Sequence, residues 1–220
     1  MTLAVGASAH ADALNAGLDE LGIALAPDAP ARLLAYVDLL ERWNRTYNLT
    51  AIREPARMIT HHVLDALAIL AHLPSRATLR VLDVGSGGGV PGIPLAIARP
   101  GWTVTLLDSN SKKTTFLTQA AIDLHAANVR VATARVEAFA PDAPFDVVVS
   151  RAFSELADFT AGAARHVAPG GVLAAMKGVH PDEELAQLPD AIEVLGVPML
   201  RVPGLDAARH LVLMRPRSAD

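Results

Sequence analysis

Residues 79–94, Leu-Arg-Val-Leu-Asp-Val-Gly-Ser-Gly-Gly-Gly-Val-Pro-Gly-Ile-Pro, constrain the fold more than any other stretch of the chain. The apolar residues Val81, Leu82 and Val84 read as a buried strand that runs into a loop with glycines at 85, 87, 88, 89 and 92. Asp83 stands near the end of that strand. Farther on, Val104-Thr105-Leu106-Leu107 ends in a second acidic residue, Asp108. A strand, a glycine loop, a helix and a second strand closed by a carboxylate form the first half of a nucleotide-binding α/β unit. In such a unit the closing carboxylate accepts hydrogen bonds from ribose hydroxyls.

The 220 residues suffice for one domain with a decorated end. No apolar run is long enough for a transmembrane helix, and Met1–His10 lacks the positive flank and apolar centre of a secretion signal. The expectation is a cytoplasmic protein with no membrane partner, read as a monomer. The absence of cysteine excludes a disulfide framework, a thiolate zinc site and a cysteine nucleophile. No metal is expected, because the pair His61-His62 reads as structural or solvated. A formal charge of −4 argues against a general nucleic-acid binder, though not against a local basic patch.

Residues 1–76 read as a helical N-terminal extension and residues 77–220 as an α/β domain, together one structural unit. Ala31–Tyr47 places Leu33, Leu34, Val37, Leu40 and Trp43 at helical spacing, with Asp28 as a candidate cap and Pro30 in the first turn. A further helix follows Pro55 and runs through Met58, Val63 and Leu67 to Leu70. Strands are expected at 79–84, 103–107, 129–133, 145–150, 171–176, around 192–199 and at 210–215, with helices at 92–99, 111–125, 154–166 and 182–188. Such alternation implies right-handed crossovers and a mostly parallel sheet. The last two strands follow closely across Pro203-Gly204 and are expected to pair antiparallel at the edge.

Gly87-x-Gly89-x-x-Gly92 fits the dinucleotide fingerprint, which brings a nicotinamide or flavin oxidoreductase into consideration. Pro91 and Pro94 lack the backbone donors that a pyrophosphate uses, and a carboxylate at Asp83 would repel it from the helix start. The same charge suits a ligand carrying an amino group and a sulfonium. Asp-x-Gly-x-Gly-x-Gly after the first strand resembles the class I S-adenosylmethionine-dependent methyltransferase motif, which implies a Rossmann-like sheet. Two bland alternatives remain: Asp83 as a turn cap and Asp108 as a helix cap. A protein that senses S-adenosylmethionine without turnover is a third reading.

The likeness becomes more specific with Arg45-Thr-Tyr47-Asn48-Leu49-Thr50, His62-Val-Leu64-Asp65, Asp83 through Pro94, and Ser150-Arg151-Ala152-Phe153, found in one order. Val202-Pro203-Gly204-Leu205-Asp206 with Arg209-His210 extends it. Together these segments resemble the bacterial 16S ribosomal RNA (guanine-N7) methyltransferase family, also called RsmG or glucose-inhibited division protein B, over residues 28–215. The resemblance implies methyl transfer from S-adenosyl-L-methionine to N7 of a guanine in the decoding region of 16S rRNA, with the small ribosomal subunit as partner. By matching positions it implies that Gly85, Val90, Val136, Glu137 and Arg151 line the cofactor pocket, with Asp83, Gly87 and Asp108 nearby. Gly88 and Val90 stand where family members vary, which leaves cofactor binding little affected.

Guanine N7 offers an in-plane lone pair and needs no deprotonation, so placement against the methyl group is the main requirement. The residues after the fourth strand, Val149-Ser150-Arg151-Ala152-Phe153, do not form the Asn/Asp-Pro-Pro-Tyr/Phe motif of exocyclic amine methylases. Arg151 is the candidate catalytic residue. It could bond the cofactor carboxylate, or guanine O6 and a phosphate, and its bland alternative is an ion pair with Glu155. Arg45, Arg53, Arg57 and Lys177 are the RNA-binding candidates. Trp43 and Tyr47 either stack on bases or bury against the core.

Overall fold

The computed structural model describes residues 2–153 and 155–217, with side chains from residue 8 onward. Seven strands form one sheet: β1 (Arg80–Val84), β2 (Thr103–Asp108), β3 (Val129–Thr133), β4 (Phe145–Ser150), β5 (Val167–Lys177), β6 (Ile192–Gly196) and β7 (His210–Pro216). Their order is β3-β2-β1-β4-β5-β7-β6. The first five strands are parallel, and β7 runs antiparallel to both β5 and β6. The expected antiparallel edge is therefore present, with β7 inserted between β5 and its own sequence neighbour. The chain reverses its strand order between β1 and β4, the place where open α/β sheets bind ligands.

The helices are α1 (Thr2–Glu20), α2 (Ala29–Tyr47), α3 (Pro55–Met58), α4 (Asp65–Ala68), α5 (Gly92–Ala98), α6 (Ser111–Asp123), α7 (Leu156–Ala163) and α8 (Asp182–Ala186). The segment after Pro55 is not one regular helix. A π-helical stretch, Ile59–Leu64, joins α3 to α4, and a 3₁₀ turn, Ile69–His72, closes it. The start expected at 154 for the helix after β4 lies outside the described residues. Asp28 occupies the N-cap position of α2 but makes no side-chain cap bond; its carboxylate instead lies 3.6 Å from Arg32. Strand β5 begins earlier than its apolar run, because a register shift between Phe145 and Val147 brings Val167 opposite Phe145.

Apolar periodicity explains the layering. The buried faces of α1 and α2, the 55–72 segment, α5 and α6 join one side of the sheet in a continuous cluster from Leu14 to Leu211. Leu33, Leu40 and Leu67 are fully buried in it, each contributing about 1.5–3 kcal/mol of transfer free energy. A second cluster on the opposite face packs Leu82, Val84, Val148 and Leu173 under Leu156 and Phe159 of α7. Trp43 stacks on Tyr47 at 5.1 Å and meets Phe116 at 5.6 Å, so it serves the core, while Tyr47 remains 43 % exposed.

Candidate active site

Strand β1 delivers the chain to the centre of the sheet's carboxyl edge, where the glycine loop opens. The loop's backbone donors are largely consumed internally. Gly85 and Ser86 N–H donate to the Leu107 carbonyl, and Gly89 and Val90 N–H to that of Ser86. Gly87 N–H donates to Asp108 Oδ2 at 3.0 Å, and Gly92 N–H to Asp83 Oδ2 at 3.0 Å. Gly85 has φ +73°, and a Cβ there would lie 2.6 Å from that of Ala152, so glycine lets β1 turn against the end of β4. The Ser150 hydroxyl fastens the same junction, donating to the Val84 carbonyl at 2.7 Å and accepting from Ala152 N–H at 3.1 Å.

Beyond this junction lies a cleft of about 280 Å³, open at the carboxyl ends of β1, β2, β3 and β4. Gly85, Asp108, Val136 and Glu137 line it, together with Lys113 and Phe153. Asp108 is buried at its edge, with Oδ1 accepting from Asn110 N–H at 2.9 Å and Lys113 Nζ 3.8 Å from Oδ2. Asn110, not Asp108, caps α6, its side chain accepting from Lys112 N–H. The loop through Val136 is pinned from below: Arg165 donates to the carbonyls of Val136, Glu137 and Phe139, and His166 Nε2 lies 3.0 Å from the Val136 oxygen.

The remaining candidates for the cofactor site divide between the two faces of β1 and the turn after β4. Asp83 is buried in β1 at the root of the glycine loop and Val90 is buried within the loop; neither lines the cleft, nor does Gly87. Burial pushes the Asp83 carboxyl up to about 7, against the pull of the Gly92 N–H, and its Oδ1 has no partner among the described residues. Arg151 faces a neighbouring cavity of about 410 Å³, which it lines with Thr50, His62, Asp65, Lys177 and Arg209. Its guanidinium donates to the His61 carbonyl at 2.9 Å and to Asp65 at 3.3 Å, and its ion pair is with Asp65, not Glu155. Lys177 is held by Glu184 at 2.6 Å and by the Phe153 carbonyl.

His62 Nε2 lies 2.8 Å from the Thr50 hydroxyl, and its Nδ1 lies 3.3 Å from Arg151 Nη2. Burial, reinforced by the Arg151 charge, pulls its pKa down to about 4, so the ring is neutral near pH 7. Of the RNA candidates, Arg45 and Arg57 are exposed and paired with Glu41 and Glu54, and Arg53 is exposed; none of the three lines either cavity.

Tyr36 and Arg165 have no part in the sequence motifs, and Arg209 enters there only within the segment that extends the family resemblance. Tyr36 donates from its buried hydroxyl to the Gly88 carbonyl at 2.6 Å, fixing the glycine loop from α2. Arg165 holds the loop after β3, and Arg209 shares Asp65 with Arg151. Tyr36 carries a local signal of its own, since it lies on the apolar face of α2, where a buried phenol needs a hydrogen-bond partner.

Among the described residues no helix is long and apolar enough to cross a membrane, and no group of three His, Cys, Asp or Glu could hold a metal ion. Residues 30–212 match the family described as GidB, rRNA small subunit methyltransferase G. A protein of Laribacter hongkongensis named ribosomal RNA small subunit methyltransferase G is 58 % identical over 199 residues, covering 90 % of this chain and 95 % of its own. Its namesake from Neisseria meningitidis serogroup A is 53 % identical over 204 residues, with 93 % and 97 % covered. In fold, the chain is similar to the crystal structure of the glycopeptide N-methyltransferase MtfA complexed with S-adenosyl-L-homocysteine. The TM-score is 0.61 at 14 % identity, covering 70 % of this chain and 90 % of that one.

Proposed function

The chain belongs to the rRNA small subunit methyltransferase G family, and from that premise we propose that it transfers the methyl group of S-adenosylmethionine to N7 of a guanine in the decoding region of 16S rRNA. It is an S-adenosylmethionine-dependent enzyme acting on small-subunit rRNA, read here as a cytoplasmic monomer.

The observation that carries the choice of cofactor is the state of the glycine loop. A diphosphate seated at a helix start needs free backbone N–H groups. Here Gly87 and Gly92 have given theirs to buried carboxylates, Gly89 and Val90 have given theirs to Ser86, and Pro91 and Pro94 have none. What the cleft offers instead is a buried acceptor, Asp108, for ribose hydroxyls, and the apolar Val136 for the face of an adenine. Gly85 allows close approach on the β1 side, and Glu137 closes the outer rim. Gly87 and Val90 within the loop, and Asp83 at its root, act by fixing its shape.

S-Adenosylmethionine supplies, when bound, a methyl group activated by a sulfonium. Guanine N7 carries no proton, so the protein has none to remove, and its residues need only bind and orient. His62 fits that economy, being too weak a base near neutrality to serve as a proton acceptor. Arg151 turns its charge toward Asp65, on the other side of the turn from Ala152 and Phe153. It is thereby suited to substrate oxygens while keeping a positive group away from a sulfonium. Arg45, Arg53 and Arg57 are read as outer RNA contacts.

The test combines transfer and binding. Small subunits from cells lacking the gene should acquire labelled methyl at N7 of one 16S guanine, and transfer to no RNA at all would refute the assignment. Asp108→Ala removes an acceptor for the ribose and should weaken S-adenosylhomocysteine binding roughly 10- to 100-fold by calorimetry, the worth of hydrogen bonds to a charged group.

A further inference from the structure

The cavity that holds Arg151 shares a wall with the cofactor cleft, because Arg151 lines the one while Ala152 and Phe153 line the other. Methyl transfer requires nucleophile and methyl carbon about 3–3.5 Å apart, so the pocket for the target base must abut the cofactor. At about 410 Å³ this cavity lies in the size range of small-molecule sites. Its wall is assembled from five separate segments: Thr50 to Ile52, His61 to Asp65, the turn after β4, Met176 to Gly178 at the end of β5, and Arg209 just before β7.

At its base Asp65, 1 % exposed, is clamped between two guanidinium groups, with Oδ2 3.3 Å from Arg151 Nη1 and Oδ1 3.1 Å from Arg209 Nε. Burial raises the Asp65 pKa, while both arginines oppose the rise. One carboxylate against two arginines leaves a cationic excess. Both arginines retain exposure, 31 % and 24 %. Among the described residues Arg209 Nη2 and Arg151 Nε make no hydrogen bond, so donors remain for a ligand rich in acceptors.

We propose that this cavity receives the target nucleotide, with Arg209 joining Arg151 as a donor to its O6 and phosphate oxygens and Asp65 as the buried positioning residue for both. The proposal rests on the methyltransferase reading above. Contact with O6 or phosphate leaves N7 free, whereas a bidentate arginine across O6 and N7 would occupy the attacking lone pair.

The experiment uses the full chain, small subunits lacking the modification, and two readouts: steady-state methyl transfer and S-adenosylhomocysteine affinity. Arg209→Gln should raise KM for the subunit by on the order of tenfold, with a smaller change in kcat, as expected for loss of a charge-assisted bond. Its S-adenosylhomocysteine Kd should stay within twofold of the parent. Asp65→Asn, which keeps the shape and removes the charge, should reproduce that split. Unchanged KM in Arg209→Gln, or cofactor affinity falling in step with KM, would overturn the pocket. If Arg209→Gln fails to fold, Arg209→Lys applies, which keeps the charge but not the planar fork. Absence of transfer by the parent enzyme would instead sink the reading beneath.

Discussion

A carboxylate with one unpartnered oxygen and no exposure costs free energy, and Asp83 bears that cost at the root of the glycine loop. The sequence reading placed its charge at the mouth of the cleft. Strand alternation places it elsewhere: Val84 faces the cleft, while Asp83 shares the face of Val81 and lies under α5, where it accepts from Gly92. It discourages a diphosphate all the same, by occupying a donor that such a ligand would need. Its pKa of about 7 lies above the unfolded value, so the folded protein binds this proton more tightly. The stability it contributes is full below about pH 4 and is lost as pH rises toward 7. His62 has the opposite sign: its folded pKa of about 4 is below the unfolded value, so its contribution is present above about pH 6.5 and is lost as pH falls through 4. The two partly cancel in the parent. Asp83→Asn removes one of them, so its Tm minus that of the parent should increase steadily from pH 4 to pH 7. A difference independent of pH would show that Asp83 does not titrate there.

The elements show why some of the molecule was legible and some was not. Strands β1, β2 and β4 announce themselves as short apolar runs rich in valine and leucine, because a central parallel strand is buried on both faces and tolerates little else. The 55–72 segment has the apolar content of one helix, yet where it packs against α1 and α2 it contains a π-helical stretch that no periodicity signals. Site residues followed the same division. Asp108 and Gly85 could be read from a local motif, whereas Arg165 and Arg209 reach partners far away in sequence. Helix α2 is the clearest case of an element outside the motif shaping the cleft, since Tyr36 holds the Gly88 carbonyl. Tyr36→Phe leaves that buried oxygen unsatisfied, at a cost of about 1–3 kcal/mol. For a chain of this size Tm should fall by roughly 2–4 °C per kcal/mol in differential scanning calorimetry, and S-adenosylhomocysteine should bind more weakly as the loop loosens. An unchanged Tm would remove α2 from the account of the loop.

At the scale of the whole molecule the difficulty is to bind RNA with a net charge of −4, from 19 basic and 23 acidic residues. Affinity for a polyanion comes largely from counterions released as lysine and arginine neutralise phosphates. Here Arg45, Arg57, Arg151 and Arg209 already have carboxylate partners, and Lys177 is held by Glu184. Among the described residues few cations around the two cavities lack a carboxylate partner; Arg135, on the wall of the cofactor cleft, is one, and the exposed Arg53 lies outside both cavities. Each existing ion pair must be exchanged for a phosphate contact, which lowers the net gain. Specific recognition then has to come from shape, from a flipped base seated in a formed pocket, and from surfaces that the assembled particle presents. Two measurements follow. The slope of log K against log salt for subunit binding should be no steeper than about −3, corresponding to roughly four neutralised phosphates on single-stranded RNA. Intact small subunits should be methylated with kcat/KM at least about tenfold above naked 16S rRNA, equivalent to about 1.4 kcal/mol of binding supplied by the particle. Equal rates on the two substrates, together with a steep salt slope, would mean that a basic surface formed by exposed arginines such as Arg53 dominates, and that the acidic balance of the chain has no bearing on how it finds its guanine.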